Sequence, residues 1–220
     1  MKKVIYSLLV SLLLFTSCKK DSNPTSPSED ASTVIYSGKV YHTGKIGNQT
    51  WMKENLDVGT MILGNSNQSN DGRTEKYCYE NDTANCSKYG GLYQWDEAMA
   101  YDTANGAKGI CPTGWHIPTL AEFLTLVTEV GNDGNKLKRE DQGSGSGVGT
   151  NISGFSALLA GYRYDDGAFY DLGGHAFFWS STEYNAPKAY NMTLWYYDSD
   201  LTMTNYYKDY GFSIRCLKDN

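Results

Sequence analysis

The sequence predicts an α+β fold built from two helices, short antiparallel strands and long ordered loops that disulfide bonds hold in place. With 23 glycines and 14% aromatic residues, the chain has a composition typical of a loop- and strand-rich exported domain. Two helical patterns precede a series of strand patterns, an order that favours α+β over alternating α/β. Its 220 residues suit one domain with a substantial core.

The first 17 residues have the pattern of an export signal peptide. Lys2 and Lys3 precede an apolar run over residues 4–15, and Thr16-Ser17-Cys18 follows. The run is too short for a retained transmembrane helix, and small residues before a cysteine suit a cleavage site. The pattern resembles a bacterial lipoprotein signal, which implies that Cys18 is acylated and becomes the mature N-terminus. An ordinary signal peptide with an incidental cysteine is the alternative.

Residues 18–33 are predicted to be the lipidated cysteine and a disordered tether. The segment is rich in serine, contains Pro24 and Pro27, and lacks an apolar period. Such a tether would hold the folded domain, residues 34–220, at a membrane surface. We therefore expect an exported lipoprotein anchored in the outer membrane, on either its periplasmic or its surface face.

The first half of the domain is predicted to combine short strands with a long ordered loop. Residues 34–36 and 39–41 are rich in β-branched and aromatic residues, and residues 45–52 form a hairpin pattern around Gly47-Asn48. From residue 57 to residue 91, turn-forming residues dominate without a regular period. A loop this long inside a compact domain needs a cross-link to hold it in place.

Two helices are predicted in the middle of the chain. The first covers residues 93–101 and ends before Asn105-Gly106. The second starts at Thr119, which forms a capping-box pattern with Glu122, and its apolar residues repeat at helical spacing up to Gly131. His116, just before this helix, is predicted to be a hydrogen-bonded structural histidine.

The last third of the domain is predicted to consist of strands and turns. Aromatic and β-branched residues are concentrated in five runs, which clusters of Gly, Asp and Asn separate. The runs are residues 155–164, 176–181, 189–197, 201–207 and 211–217. The third and fourth runs are predicted to form an antiparallel hairpin.

The four cysteines other than Cys18 are predicted to form two disulfide bonds, as is usual in exported proteins. Three connectivities are open. We favour Cys78–Cys86, which closes a polar loop, together with Cys111–Cys216, which ties the middle of the domain to its end and leaves no free thiol. A metal site is the alternative, but the chain has no Cys-x-x-Cys pair and only three histidines.

Six motifs spread over the domain point to one family. They are Gly-Asn-Gln-Thr-Trp-Met-Lys-Glu-Asn-Leu (47–56), Tyr-Gly-Gly-Leu-Tyr-Gln-Trp (89–95), Cys-Pro-Thr-Gly-Trp-His-Ile-Pro-Thr (111–119), Gly-Phe-Ser-Ala-Leu-Leu-Ala-Gly-Tyr-Arg (154–163), Phe-Trp-Ser-Ser-Thr-Glu (178–183) and Gly-Phe-Ser-Ile-Arg-Cys (211–216). In this order they resemble the Fibrobacter succinogenes major paralogous domain family. The resemblance spans about residues 34–218 and implies a surface or exported lipoprotein module in a family whose activity is poorly defined.

A more distant resemblance concerns the fold. The order of the elements and the closing Gly-Phe-Ser-Ile-Arg-Cys motif are similar to the C-type-lectin-like fold that formylglycine-generating enzymes share. This resemblance implies a C-type-lectin-like form of the α+β class. Those enzymes depend on active-site cysteines, whereas two disulfide bonds and one lipid would occupy all five cysteines of this chain. The sequence therefore argues against the same oxidase chemistry.

We predict that the protein is not an enzyme and carries no cofactor. Ser180, Ser181, His175 and Glu183 lie close in sequence, but no nucleophile-elbow pattern surrounds them, and the serines are predicted to belong to a core strand. A nucleic-acid partner is also not expected. The mature chain would carry 17 basic and 25 acidic side chains, a net charge of −8, and so lacks a basic footprint.

Aromatic and polar residues of the predicted C-terminal hairpin indicate a ligand-binding surface. The candidates are Tyr190, Trp195, Tyr197, Asp198, Asp200, Asn205 and Tyr207. Exposed aromatic rings beside Asp and Asn are typical of surfaces that bind a sugar or a protein. We therefore predict a cell-envelope module that binds a glycan or a protein.

Two alternatives to this prediction stay open, and so does a calcium site. A purely structural envelope domain would place all of the aromatic rings in the core. An enzyme with an unrecognised site is the second alternative. Calcium could bind at the acidic turns, since hard cations take Asp, Asn and carbonyl oxygens, although no recognised loop pattern is present.

Overall fold

The computed structural model describes residue 1 and residues 33–220. The predicted signal peptide, Cys18 and the tether up to residue 32 lie outside the described residues. The strands are β1 (Thr33–Tyr36), β2 (Lys39–Ile46), β3 (Gln49–Met52), β4 (Thr60–Met61), β5 (Glu75–Lys76), β6 (Trp115–His116), β7 (Ala160–Arg163), β8 (Phe169–Leu172), β9 (His175–Asn185), β10 (Lys188–Trp195), β11 (Leu201–Tyr207) and β12 (Leu217–Lys218). The α-helices are α1 (Thr83–Tyr89), α2 (Trp95–Ala98) and α3 (Leu120–Glu129). The described part of the chain is thus a mixed helix and strand fold made mostly of sheets.

The first sheet joins the beginning of the domain to its end. Its order is β1-β2-β3-β12-β6, and all of its pairs are antiparallel. The predicted hairpin is confirmed, since β2 and β3 meet at Gly47, whose φ of +56° suits glycine. In β12, Leu217 pairs with Trp51 on one side and with His116 on the other.

The second sheet contains the predicted C-terminal hairpin. Its order is β11-β10-β9-β7-β8, and only the contact between β7 and β9 is parallel. The hairpin of β10 and β11 is confirmed, with a register that runs from Lys188 opposite Tyr207 to Leu194 opposite Leu201.

Two of the predicted strand runs are shorter than the sequence indicated. Within residues 155–164 only β7 is a strand, and within residues 211–217 regular pairing starts only at β12. Residues 211–213 make isolated bridges to Arg163, Tyr93 and Phe178 instead. Because these partners belong to different elements, no single neighbouring strand can form a continuous ladder with the segment. Strands β4 and β5, of two residues each, lie in the region predicted as ordered loop or very short strand, whereas β6 and β8 were not predicted.

The prediction of two helices was wrong, because residues 33–220 contain three α-helices. The helix predicted over residues 93–101 is reduced to α2, since Ala100 and Tyr101 have φ values of +50° and +61°, which a right-handed helix excludes. Helix α1 lies in the region predicted as irregular loop. Asp82 caps it by accepting a hydrogen bond from the Ala84 amide, but its polar sequence has no apolar period.

Helix α3 is confirmed and is linked to the C-terminus through His116. Thr119 and Glu122 form the predicted capping box. The two ring nitrogens of His116 lie 3.0 Å from a Glu122 oxygen and 2.7 Å from an Asp219 oxygen, which confirms a hydrogen-bonded histidine. The bond to Glu122, followed by that to Asp219, raises the pKa of His116 against the opposing effect of burial.

Two hydrophobic clusters make up most of the core. In the first, the Trp179 and Phe212 rings lie 4.3 Å apart. In the second, Trp51 lies 5.5 Å from both Phe123 of α3 and Phe155. Ser180 and Ser181 are buried in β9, where their hydroxyls accept hydrogen bonds from the backbone amides of residues 182 and 106. The prediction that these serines belong to a core strand is therefore confirmed.

Both favoured disulfide bonds are present. Cys78 is bonded to Cys86, and Cys111 to Cys216 across a sequence separation of 105 residues. All four sulfur-bearing side chains are buried. The first bond fixes α1 against the strand segment before it, and the second holds β12 beside the middle of the chain.

Arg215, next to Cys216, is a buried cation that joins three segments. Its guanidinium is 1% exposed and donates hydrogen bonds to the carbonyls of Met52 and Phe155 and to the side-chain oxygen of Asn55. Asn55 in turn donates to the carbonyl of Tyr89. Burial lowers the pKa of Arg215 to about 9, so the group is charged at neutral pH.

Two further buried cations hold loops through backbone carbonyls. Arg163 donates to the carbonyls of Gly64 and Asp209. Lys138 donates to the carbonyls of Trp195 and Asp198, and burial lowers its pKa. Because leaving such groups unpaired in the interior costs several kcal/mol, these contacts fix the loops around the second sheet.

The two disulfide bonds should differ in their contribution to stability. In the chain-entropy model, replacing Cys111 and Cys216 together by alanine should lower the free energy of unfolding by about 5 kcal/mol, because a loop of about a hundred residues is released. The matched Cys78→Ala/Cys86→Ala variant should lose about 2.5 kcal/mol. Urea denaturation followed by tryptophan fluorescence measures both values. Equal losses would contradict the dependence on loop length.

His116 should make stability depend on pH. Its pKa is raised above the ordinary value of about 6.5, so the stabilisation is complete below about pH 6.5 and is lost as the pH rises through the folded-state pKa. The free energy of unfolding should therefore fall from pH 6 towards pH 9, and His116→Gln should remove much of this fall. Denaturation at several pH values tests the expectation. An equal fall in the variant would assign it to another group.

Candidate ligand-binding site

The seven predicted ligand-binding residues lie at two opposite ends of the β10–β11 hairpin. Trp195, Tyr197, Asp198 and Asp200 lie at or beside its tip. The other three lie towards its open end, where Tyr190 is paired with Asn205 and Tyr207 with Lys188. The hairpin therefore presents two separate candidate surfaces.

The tip of the hairpin is a turn that internal hydrogen bonds stabilise. A side-chain oxygen of Asp198 accepts from the backbone amide of Asp200. Trp195 packs edge-on against His175, with ring centroids 4.3 Å apart, and Tyr197 is 47% exposed. All four predicted tip residues thus have local structural contacts, since the Tyr197 ring also lies 5.7 Å from the Trp195 ring, and Tyr197 is the more exposed of these two rings.

Two other tyrosines of the region belong to the interior rather than to a surface. Tyr206 and Tyr210 pack against Phe177 and Phe212 with ring centroids 5.5 to 6.1 Å apart. Strand alternation explains the difference, because Tyr206 and Tyr207 point to opposite faces of the hairpin. The aromatic rings of the hairpin are therefore divided between core and surface.

The open end of the hairpin contributes to a cleft, which we call the hairpin-base cleft. It has a volume of about 370 Å³ and is formed by the long loop, α2 and the ends of β9 and β11. Its lining residues are Asn67, Gln68, Gln94, Asp96, Glu97, Tyr101, Ala186, Pro187, Tyr207, Lys208 and Asp209. The volume falls within the range of about 300–1,000 Å³ that is typical of small-molecule sites.

A reciprocal amide pair builds the floor of the hairpin-base cleft. The side-chain oxygen of Gln94 accepts a hydrogen bond from the backbone amide of Gln68 at 2.8 Å. The side-chain oxygen of Gln68 accepts one from the backbone amide of Gln94 at 2.7 Å. The Gln94 side chain also donates to Asn67 and to the carbonyl of Asp209. The long loop is thereby fixed against α2 and the end of β11, so the cleft is preorganised.

Two carboxyl groups of the cleft have a raised pKa. Burial raises the pKa of Glu97, which is 3% exposed and accepts hydrogen bonds from the Glu75 amide and the Tyr101 hydroxyl. The pKa of Asp209 is also raised, mainly by burial and to a smaller extent by the negative charge of Asp165. Perturbed carboxyl groups in a cleft are a common property of functional sites.

Two residues with strained backbone conformations lie at the hairpin-base cleft or next to it. Ala100 and Tyr101 are consecutive residues with left-handed φ values, although neither is glycine. Residues in such conformations cost about 1–3 kcal/mol each and concentrate at functional sites. Here the strain directs the Tyr101 hydroxyl to Glu97, where it donates at 3.0 Å.

Lys208 contributes a positive charge to the rim of the cleft. Its ammonium lies 4.0 Å from the centre of the Trp95 ring and 3.3 Å from a Glu183 oxygen. Tyr207, the neighbouring residue, is 48% exposed, and the Lys188 ammonium lies 4.6 Å from its ring centre. The cleft therefore combines carboxylates, amides, one ammonium and an exposed ring.

Most residues of the cleft were missed by reasoning from the sequence. Only Tyr207 was among the candidates. Asp96 and Glu97 belong to a segment predicted as helix, and Asn67 and Gln68 to a loop without any pattern. The motif Tyr-Gly-Gly-Leu-Tyr-Gln-Trp, which contains Gln94, was the one signal in the sequence that pointed to this place.

Among residues 33–220, no group of three or more His, Cys, Asp or Glu side chains is arranged to hold a metal ion. In the same part of the chain, no helix has the length and apolar character needed to cross a bilayer.

Comparison with known proteins identifies the family. A model of the Fibrobacter succinogenes major domain matches residues 45–218. The match covers most of the chain, so the chain belongs to this family, as its six motifs predicted. Neither the curated proteins nor the solved structures contain a match to it.

Proposed function

We propose that this member of the Fibrobacter succinogenes major domain family is a lipid-anchored cell-envelope module that binds a glycan in the hairpin-base cleft without transforming it. The observation that carries the proposal is the cleft itself, in which carboxylates, amides and an exposed tyrosine ring surround a preorganised floor. Of the two candidate surfaces on the hairpin, the proposal selects the one at the open end.

The chemistry of the lining favours a glycan over a protein. A sugar offers hydroxyl groups, which donate to carboxylates and accept from amides, and an apolar ring face, which packs on an aromatic side chain. Asp96 and Asn67 are exposed at the cleft and supply the polar groups, and Tyr207 supplies the ring. A protein surface would more often use a flat apolar patch, whereas this site is concave.

The membrane attachment is part of the proposal. It rests on the sequence pattern before Cys18 and on the polar segment at residues 18–33, followed by a domain over residues 34–220. We place the protein at the outer membrane, facing the periplasm or the outside. The two disulfide bonds support export, because such bonds persist in oxidising compartments.

We also propose that the domain is a C-type-lectin-like form of the α+β class. The combination of short helices, antiparallel strands and long loops stapled by two disulfide bonds supports this assignment. The resemblance of the closing Gly-Phe-Ser-Ile-Arg-Cys motif supports it as well.

One observation favours a second candidate function. Glu97 and Asp209 are two carboxyl groups with raised pKa in one cleft, and such a pair can act as acid and base in glycoside hydrolysis. The same glycan would then be a substrate. Recovery of the ligand after incubation separates the two functions, because a binding module returns it intact.

Tyr207 should be required for glycan binding, and Tyr197 provides a matched control. Both are tyrosines of nearly equal exposure at opposite ends of one hairpin. On a panel of soluble and insoluble polysaccharides, Tyr207→Ala should weaken retention of the bound class about tenfold, since an aromatic contact contributes about 1.5 kcal/mol. Tyr197→Ala should leave retention unchanged.

Weaker retention of Tyr197→Ala together with unchanged retention of Tyr207→Ala would place the binding site at the tip of the hairpin. No retention on any polysaccharide by the wild-type protein would contradict glycan binding altogether and favour a protein partner or a structural role. Shortened oligosaccharides in the eluate would favour the hydrolase.

Cys18 should be required for membrane attachment. Replacing it by alanine removes the sulfur that would carry the lipid, so Cys18→Ala should shift the protein from the membrane fraction to the soluble fraction. Cell fractionation followed by immunoblotting measures the distribution. Continued association of the variant with membranes would contradict the lipoprotein assignment.

A further inference from the structure

A second cleft lies apart from the hairpin-base cleft and shares no residue with it. Its volume is about 430 Å³, and we call it the basic cleft. It is formed by β2, the segment that follows β3, the end of α1, and the chain around residues 139 and 156–158. Its shape is concave and its lining is strongly charged.

Cations outnumber carboxylates in the basic cleft. Five lysine or arginine side chains line it, together with His42, against two carboxylates. The five cations are Lys39, Lys53, Lys88, Arg139 and Arg215, and the carboxylates are Glu54 and Asp57. The excess of positive charge is confined to the cleft, because residues 33–220 as a whole are acidic, with 15 basic and 22 acidic side chains.

The carboxylates are already engaged by other groups. Asp57 pairs with two lysines at once, Lys39 and Lys76. Glu54 accepts from both the ring and the backbone amide of His42. Burial, followed by the charge of Lys76, lowers the pKa of Lys39, which is consistent with an excess of positive charge.

Three cations of the cleft form no ion pair with a carboxylate among residues 33–220, although the charge of Glu54 acts on Arg215 from a distance. The Lys88 ammonium lies 4.8 Å from the centre of the Tyr89 ring, a neutral contact. Lys53 is half-buried, and no ion pair involves its ammonium within the described part of the chain. Arg215 is buried, and all of its acceptors are neutral oxygens.

The buried charge of Arg215 makes the imbalance significant. Its four hydrogen bonds engage four of its five N–H donors with neutral oxygens and leave a full positive charge in the interior. A charge in a region of low dielectric constant raises the potential of an adjoining cleft more than an exposed charge does. An anion in the cleft would lower the energy of Arg215, Lys53 and Lys88 together.

We propose that the basic cleft binds a phosphate group, with Lys53 and Lys88 as its direct ligands and Arg215 as a buried source of positive potential. An ammonium group binds phosphate as a compact point charge, whereas an arginine fork binds either phosphate or carboxylate through two parallel hydrogen bonds. The single arginine on the rim, Arg139, is already paired with Asp141. A phosphate group carries a charge of about −1.5 to −2, which matches the surplus better than a monoanion does.

The proposal does not depend on glycan binding. An experiment can distinguish whether the bound phosphate group is inorganic phosphate or part of a larger molecule. Either free inorganic phosphate or a phosphate monoester would present the same group. Titrating the full-length protein in non-ionic detergent with inorganic phosphate, glucose 6-phosphate and glucuronate compares the two sources and a monoanionic carboxylate. Calorimetry should detect binding of one or both phosphate compounds and at least about tenfold weaker binding of glucuronate.

Charge-neutral variants test the residues. Lys53→Ala and Lys88→Ala should each weaken phosphate binding about tenfold, because each removes one charge-assisted contact. Lys45→Ala, an exposed lysine on β2 outside the cleft, is the matched control and should not change the affinity. Circular dichroism should confirm that all three variants are folded.

Two results would overturn the proposal. One is the absence of binding of either phosphate compound at concentrations up to about 10 mM, which is weaker than any specific site would allow. The other is equal phosphate affinity of the wild type and of Lys53→Ala and Lys88→Ala.

Discussion

The buried guanidinium of Arg215 is the interaction on which the arrangement of the loops depends. It joins the end of β3, the Asn55 side chain and the Phe155 carbonyl, and the neighbouring Cys216 is bonded to Cys111. A buried cation that lost an acceptor would cost several kcal/mol, so each of these segments is held where its oxygen meets the guanidinium. Three distant parts of the sequence, residues 52–55, Cys111 and Phe155, are thereby fixed around one C-terminal dipeptide.

Both clefts are positioned by this C-terminal segment. On one side, Phe212 pairs with Tyr93, which sets the position of Gln94 and hence of the floor of the hairpin-base cleft. On the other side, Asn55 links Arg215 to the carbonyl of Tyr89, so the end of α1 and Lys88 lie at the basic cleft. The irregular segments between the sheets can thus support two preorganised sites, because side-chain hydrogen bonds hold them in place where no backbone ladder does.

The sequence predicted those features that local chemistry determines. The capping box of α3, the turn at Gly47-Asn48 and the β10–β11 hairpin all depend on neighbouring residues. The count of cysteines predicted two disulfide bonds but left three connectivities open, of which the favoured one is present. The hairpin-base cleft depends instead on contacts such as Gln68 with Gln94 and Lys208 with Trp95, which join residues far apart in the chain. Of its residues only Tyr207 was predicted, because no periodicity or motif encodes such pairings.

The most direct test of the account is to map a bound oligosaccharide by nuclear magnetic resonance on the full-length protein. If the hairpin-base cleft is the binding site, the largest shifts of backbone amide resonances should occur at Gln94, Asp96, Tyr101 and Lys208, which line it. Shifts concentrated at Tyr196 and Tyr197 on the tip of the hairpin, with none at the cleft, would contradict the central claim.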